Sequence, residues 1–268
     1  MINIQKVIKY LAILFAVFII FSIFFGIISG FNALYPIFNN EEITLENLDN
    51  IDIKNNIENI EIDLKSTNLI IKIGEKIKVE TNNESIKYKE NNKTLFIEDK
   101  TKWYKNNLKQ DLIIYVPSDY KFNNVSVEHG AGKIEIEELI TKNLELDLGA
   151  GKAEINKLNV TKEAEINGGA GEIIINNSNI NNLEFNIGVG KTTLTSILTG
   201  KSEINAGVGE TNLNLTGSLE DYKIYVEKGI GKVKLNNEKI KNETTYGTGL
   251  NLVEINGGIG NINITLSR

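Results

Sequence analysis

From Tyr120 onward, apolar and polar residues alternate with a period of two, and a Gly-x-Gly triplet interrupts the alternation at regular intervals. Before Gly149-Ala150-Gly151, Leu144, Leu146 and Leu148 alternate with Glu145 and Asp147; after it, Ala153 and Ile155 alternate with Lys152 and Glu154. This period predicts half-buried β-strands, apolar on one face and charged on the other. Six further triplets begin at Gly130, Gly169, Gly188, Gly207, Gly229 and Gly258, so that successive first glycines lie 19, 20, 19, 19, 22 and 29 residues apart. A period of about 20 marks a repeat architecture. The unit reads strand, glycine corner, strand, loop, with glycine supplying the positive backbone angles of the corner.

Aligned units form columns. Ile136, Ile155, Ile175, Leu194, Leu213, Leu235 and Ile264 make an aliphatic column. The residues between the glycines (Ala131, Ala150, Ala170, Val189, Val208, Ile230, Ile259) grow along the chain, which suits a core widening towards one end. Asn167, Asn186, Asn205 and Asn256 share an outward position. Stacked identical residues predict an all-β fold, a β-solenoid or β-helix of GxG-punctuated coils over residues 121–268, with coils hydrogen-bonded to their neighbours. The alternative is an antiparallel meander of hairpins. Asn167-Gly168 and Asn256-Gly257 are good hairpin dipeptides, but they occur in two of the seven units.

Residues 57–120 lack the triplets yet keep the strand pattern, and they are expected to begin the same sheet system and cap it. Ile86–Lys89 and Leu95–Glu98 flank a turn at Glu90–Lys93 and read as a hairpin. Asn236–Gly249 is a longer excursion before the last coil, read as an insertion on one face.

Ahead of the strands, Leu11–Phe31 is a 21-residue run without a charge. That is long enough to span a bilayer, which takes ~20 apolar residues. Lys6 and Lys9 precede the run and Glu41, Glu42 and Glu46 follow it, so the positive-inside bias puts the amino terminus in the cytoplasm. The expected order is therefore a tail (1–9), one transmembrane helix (10–31) contacting the lipid bilayer, a linker (32–56), and an extracytoplasmic β region. A cleaved signal sequence ending near Ala33 and a buried helix are the alternatives.

Composition narrows the chemistry. Of 268 residues, 41% are hydrophobic and the net charge is −6, so no basic face is available for nucleic acid. The absence of cysteine excludes disulfides and thiol catalysis. Gly188-Val189-Gly190-Lys191-Thr192-Thr193 resembles the end of a phosphate-binding loop, but Phe185 stands where its first glycine belongs. Lys133, Lys152 and Lys232 fill the slot of Lys191 in other units, so Lys191 reads as a surface lysine. His129, the single histidine, falls at an inward position and has no second histidine or cysteine with which to bind zinc. No cofactor is expected.

Two features remain as candidate binding surfaces. Glu145, Glu165, Glu184 and Glu203, with Glu254, share an outward column. Stacked ~5 Å apart they would repel one another and could attract Ca²⁺ or a cationic polymer; as a solvated charged face they would simply keep the coils soluble. Trp103-Tyr104, flanked by Lys102 and Lys105, could contact sugars or a protein, or fold under the cap.

The apolar anchor, the opening IEIDLKSTNLIIKIGEKIKVE, the transition DLIIYVPSDYKFNNVSVEHGAGKIEIEEL and the GxG-punctuated strands resemble the bacterial putative-adhesin family, from about residue 57 to the carboxyl terminus. The resemblance implies a β-helix-like fold, export or membrane anchoring, no established enzymatic activity and no defined site residues. The expectation is a non-enzymatic envelope protein that binds cell-wall or surface glycans, or a membrane protein. An accessory regulator of an envelope-stress response, acting through a membrane partner, is the alternative.

Overall fold

The computed structural model describes residues 49–53, 56–101 and 110–267, all within the compact unit Leu45–Arg268. The expected tail (1–9), the expected transmembrane helix (10–31) and the Trp103-Tyr104 pair lie outside the described residues.

All regular structure among the described residues is β. The strands before the triplets are β1 (Asp49–Asp52), β2 (Asn59–Leu64), β3 (Asn68–Ile73), β4 (Lys78–Thr81), β5 (Ile86–Asn91), β6 (Thr94–Asp99) and β7 (Asp111–Val116). The triplet coils follow as β8 (Lys121–Ile136), β9 (Leu139–Ile155), β10 (Leu158–Asn181), β11 (Leu183–Asn186), β12 (Val189–Thr199), β13 (Lys201–Asn205) and β14 (Val208–Thr216). The chain ends with β15 (Tyr222–Glu227), β16 (Ile230–Leu235), β17 (Glu238–Lys239), β18 (Thr244–Tyr246), β19 (Asn251–Asn256) and β20 (Ile259–Ser267).

Parallel pairing links every coil to the next, so the structure is the solenoid and not the meander. Ala131 pairs with Ala150, Ala150 with Ala170, Ala170 with Val189, and Val189 with Val208. The order then departs from the chain. Val208 pairs with Ile259, and Ile259 in turn with Ile230. The last coil is thus inserted between the Gly207 and Gly229 coils, and the Gly229 coil is outermost.

The amino-terminal end repeats this arrangement. The β2–β3 coil stacks on β8 with one edge and on β6–β7 with the other, so the first coil of the chain is again one in from the end. At both ends, short antiparallel strands cover part of the outermost coil. β5 and β4 lie against β6 and β7, with β1 against β4; β18 and β17 lie against β15 and β16. Antiparallel covers of this kind blunt an edge that would otherwise template aggregation. The excursion between β16 and β19, expected on one face, instead crosses this end, where Ile240 is 6% exposed. The β5–β6 hairpin forms at the expected place, with Asn92 and Lys93 both at positive φ (48° and 63°) as a two-residue primed turn requires.

The interior is a set of aliphatic ladders. The column Ile136, Ile155, Ile175, Leu194, Leu213, Ile264 and Leu235 is buried throughout, and Ile62, Val127, Leu146, Ile166, Phe185, Ile204, Ile255 and Val226 form a second such ladder. Each fully buried Ile or Leu contributes roughly 1.5–3 kcal/mol. Ser202, beside Val253, is 1% exposed, and its hydroxyl has no hydrogen-bond partner.

The glycines serve two different purposes. Only the second of each triplet has positive φ, from 127° at Gly132 to 148° at Gly231. The first is required by proximity alone: a Cβ on Gly149 would lie 1.9 Å from the carbonyl oxygen of Gly130. The residue between them faces outward, contrary to the widening-core expectation. Val189, Val208, Ile259 and Ile230 are 38%, 45%, 53% and 73% exposed in stacking order. The positive-φ bend shifts the inward positions from even to odd numbers across Gly149–Gly151, which leaves Ala150 and its counterparts outside the alternation.

Candidate functional site

The candidate acidic column is assembled in register. Glu145 pairs with Glu165, Glu165 with Glu184, Glu184 with Glu203 and, because of the inserted last coil, Glu203 with Glu254. Five carboxylates therefore occupy consecutive coils at the ~4.8 Å strand spacing. Ser126 replaces the acid in the coil before, and its hydroxyl donates to Glu145 Oε2 at 3.3 Å. Tyr225 replaces it in the coil beyond Glu254.

What holds the acids in place is the neighbouring asparagine column. Asn167 donates to Asp147 at 2.8 Å, Asn186 to Asn167 at 2.9 Å, Asn205 to Asn186 at 2.8 Å, and Asn256 to Asn205 at 2.7 Å. Each of the first three also donates within its own coil, Asn167 to Glu165 at 3.0 Å, Asn186 to Glu184 at 3.1 Å and Asn205 to Glu203 at 3.4 Å. One amide thus ties coil to coil and orients a carboxylate at the same time. All these amide dipoles run one way and end on the Asp147 carboxylate, an arrangement in which each bond polarises the next. The carboxylates were legible as a column in the sequence; their bracing was not, because it needs the register of the stack.

Charge compensation within the column is uneven. Lys201 bonds Glu254 at 2.9 Å, and its ammonium is held above the usual lysine value first by that hydrogen bond and then by the charge of Glu254, with a smaller contribution from Glu203. Among the described residues no other ion pair engages the column. Lysines on the adjoining sheet pair with their own neighbours, Lys152 with Glu154 at 3.1 Å and with Glu172 at 3.8 Å.

Lys191 is an exposed residue at a β-corner, with no helix after it. His129 is 3% exposed, between Leu64 and Leu148 in register, and Nε2–H donates to the Thr67 carbonyl at 3.0 Å. Burial lowers its pKa, and the Thr67 bond offsets part of that. Beside it lies a cavity of about 20 Å³ under the Gly149, Gly169 and Gly188 corners, room for about one water.

Sequence reasoning missed a buried polar cluster that replaces the glycine corner at the amino-terminal end. Thr67 donates to Asp99 at 2.8 Å; Asn83 donates to Thr67 at 2.8 Å and to Thr101 at 3.1 Å. Burial pushes the Asp99 carboxyl up, but the bonds from Thr101, Thr67 and Asn83 outweigh it and hold it below the usual aspartate value. The hint was compositional: the β2–β3 corner reads Lys65-Ser66-Thr67 where later coils have Gly-x-Gly.

Residues 57–264 match the profile of the Toastrack DUF4097 family. The chain belongs to that family. Among solved structures, this Toastrack chain is similar to a "putative cell adhesion protein" from Clostridium sporogenes, at 20% identity and a TM-score of 0.36, over 82% of this chain and 99% of the other. It is also similar to a "putative adhesin" from Bacteroides fragilis, at 18% identity and a TM-score of 0.41, over 81% and 97% of the two chains. A further such protein, from Parabacteroides distasonis, is 12% identical with a TM-score of 0.35, over 81% and 95%. A comparison with curated proteins finds no match.

Proposed function

We propose that this Toastrack protein is a non-enzymatic, single-pass membrane protein of the bacterial envelope whose outer solenoid acts as an adhesive or scaffolding surface. The observation that carries this reading is the array of five stacked carboxylates from Glu145 to Glu254, three of them oriented by a continuous asparagine ladder. A regular array of identical acids offers no unique pair for general acid–base work, which needs two carboxyls in different environments. It does offer a repeating, preoriented set of acceptors to a polymer with its own repeat, such as a cell-wall glycan or a cationic chain. The apolar run 11–31 supports anchoring to the membrane.

The test is co-sedimentation of residues 45–268 with purified cell walls and with matrix glycoproteins, with and without Ca²⁺. Saturable binding that weakens by about tenfold or more when Glu145, Glu165, Glu184 and Glu203 are changed to Gln supports the reading, each charge-assisted hydrogen bond contributing ~1.5–3 kcal/mol at most. Binding unaffected by the four changes removes the acidic column from it. No binding to any surface sinks the adhesive reading.

A further inference from the structure

The outermost coil and its cap differ in charge from the rest of the chain. Between Tyr222 and Tyr246 there are six lysines and three glutamates, a local charge of +3 in a protein whose net charge is −6. Among the described residues, Lys223, Lys232, Lys234, Lys239 and Lys241 form no ion pair. The exposed aliphatic ridge culminates at this end. Val208, Ile259 and Ile230 stand side by side on the glycine corner, and Ile230, the most exposed of the three, is followed by Lys232 and Lys234 on the same strand.

Each of these aliphatic residues has a glycine on both sides in its own strand, so the three side chains form a narrow exposed row with lysines beside it. A bilayer interface suits such a row: aliphatic residues enter the headgroup–acyl boundary while neighbouring lysines stay at the anionic phosphates. We propose that the Ile230 corner and its lysines dock on the anionic surface of a lipid bilayer, laying the carboxyl-terminal end of the solenoid against the membrane. This deepens the membrane-anchored reading and rests on it, because an anchored chain meets a bilayer surface at high effective concentration.

The experiment uses the full chain, which has no cysteine, with Thr245→Cys carrying an environment-sensitive fluorophore on β18, opposite Tyr225 of the outermost coil, and Tyr88→Cys as a separate probe on β5 at the opposite end. Each is reconstituted in neutral phosphatidylcholine vesicles and in vesicles containing phosphatidylglycerol, with brominated lipid as quencher. Flotation with both kinds of vesicle reports the apolar segment; failure to float overturns the anchor and leaves the docking surface without its premise. Quenching of the Thr245 probe, but not the Tyr88 probe, in anionic vesicles supports the proposal. Lys232→Gln with Lys234→Gln is expected to lower that surface association roughly 25-fold, at ~5-fold per lysine, and Ile230→Ser to lower it further while leaving the denaturant midpoint unchanged. Flotation without anionic-dependent quenching overturns the proposal. So does self-quenching between Thr245 probes that rises with protein concentration and not with anionic lipid, which would assign the corner to a second copy of the chain.

Discussion

Val208 lies in register with Ile259 and not with Ile230, although Ile230 comes first in the chain. The solenoid is therefore not wound in simple sequence order. The chain passes over one coil position, builds the outermost coil and its cap, and returns to fill the gap. A cysteine pair distinguishes this order from simple winding. Asn212 and Asn263 pair in register, with a side-chain bond of 2.9 Å, and the ~4.8 Å between paired strands suits a disulfide. Asn212→Cys with Asn263→Cys should oxidise fully to one intramolecular bond. Asn212→Cys with Lys234→Cys should not, because a coil intervenes and the separation of ~10 Å exceeds the ~7 Å limit. The opposite pattern, read by mass after alkylation, would show winding in chain order.

The two glycines of a triplet fail for different reasons, so both should be intolerant. Gly149→Ala places a methyl 1.9 Å from the Gly130 carbonyl oxygen without any unfavourable φ. Gly151→Ala adds a φ of 140° to a similar collision with Gly132. Backbone cannot give way as a side-chain end can, so each change should cost more than ~3 kcal/mol, at or beyond the upper end of ordinary overpacking. Ala150→Gly, at the outward position between them, should cost ~1 kcal/mol or less. Urea midpoints settle it: a Gly149→Ala loss under 1 kcal/mol would mean that the coils at this corner are not as close as described.

The period, the strand alternation, the aliphatic columns and the acidic column were legible because each is local to one repeat and visible on alignment. Stacking order was not, since Val208, Ile230 and Ile259 occupy the same slot and any of them fits beside another. The outward turn of Ala150 was half legible: inward positions are even at Leu146 and odd at Ala153, so the alternation must break at the triplet. Size growth from alanine to isoleucine pointed to a core, but a side chain flanked by two glycines has no lateral neighbours in its own strand with which to form one. At the amino-terminal end, Thr67, Asn83 and Asp99 belong to three separate segments, and nothing local in the sequence pairs them.

A single histidine makes one pH dependence separable from all others. Burial lowers the pKa of His129, so below ~6.5 the unfolded chain takes up a proton that the folded one refuses. The stability this provides is fully present above ~6.5 and is lost as pH falls towards the folded value, at up to ~1.4 kcal/mol per pH unit. The carboxylates of Asp99, Glu58 and Glu138 are all held below their ordinary values and leave the window from pH 7 to 5.5 clear. Urea midpoints should fall across that window in the parent protein and stay level in His129→Leu, whose leucine matches Leu64 and Leu148 in register. Equal slopes in the two proteins would place the imidazole in contact with water.

Ser202 is the one buried side-chain polar atom left without a partner among the described residues. It interrupts an aliphatic ladder beside Val253, in the strand that also carries Glu203 of the acidic column. An unpaired buried hydroxyl costs ~1–3 kcal/mol relative to one that is bonded. Ser202→Ala removes that cost and little volume, and should raise stability by about 1 kcal/mol; Ser202→Val fills the ladder as well and should raise it further. Both leave Glu203 and Asn205 in place, so cell-wall binding should be unchanged while the denaturant midpoint rises. A fall in midpoint for Ser202→Ala would reveal a bonded hydroxyl, with a buried water as its partner.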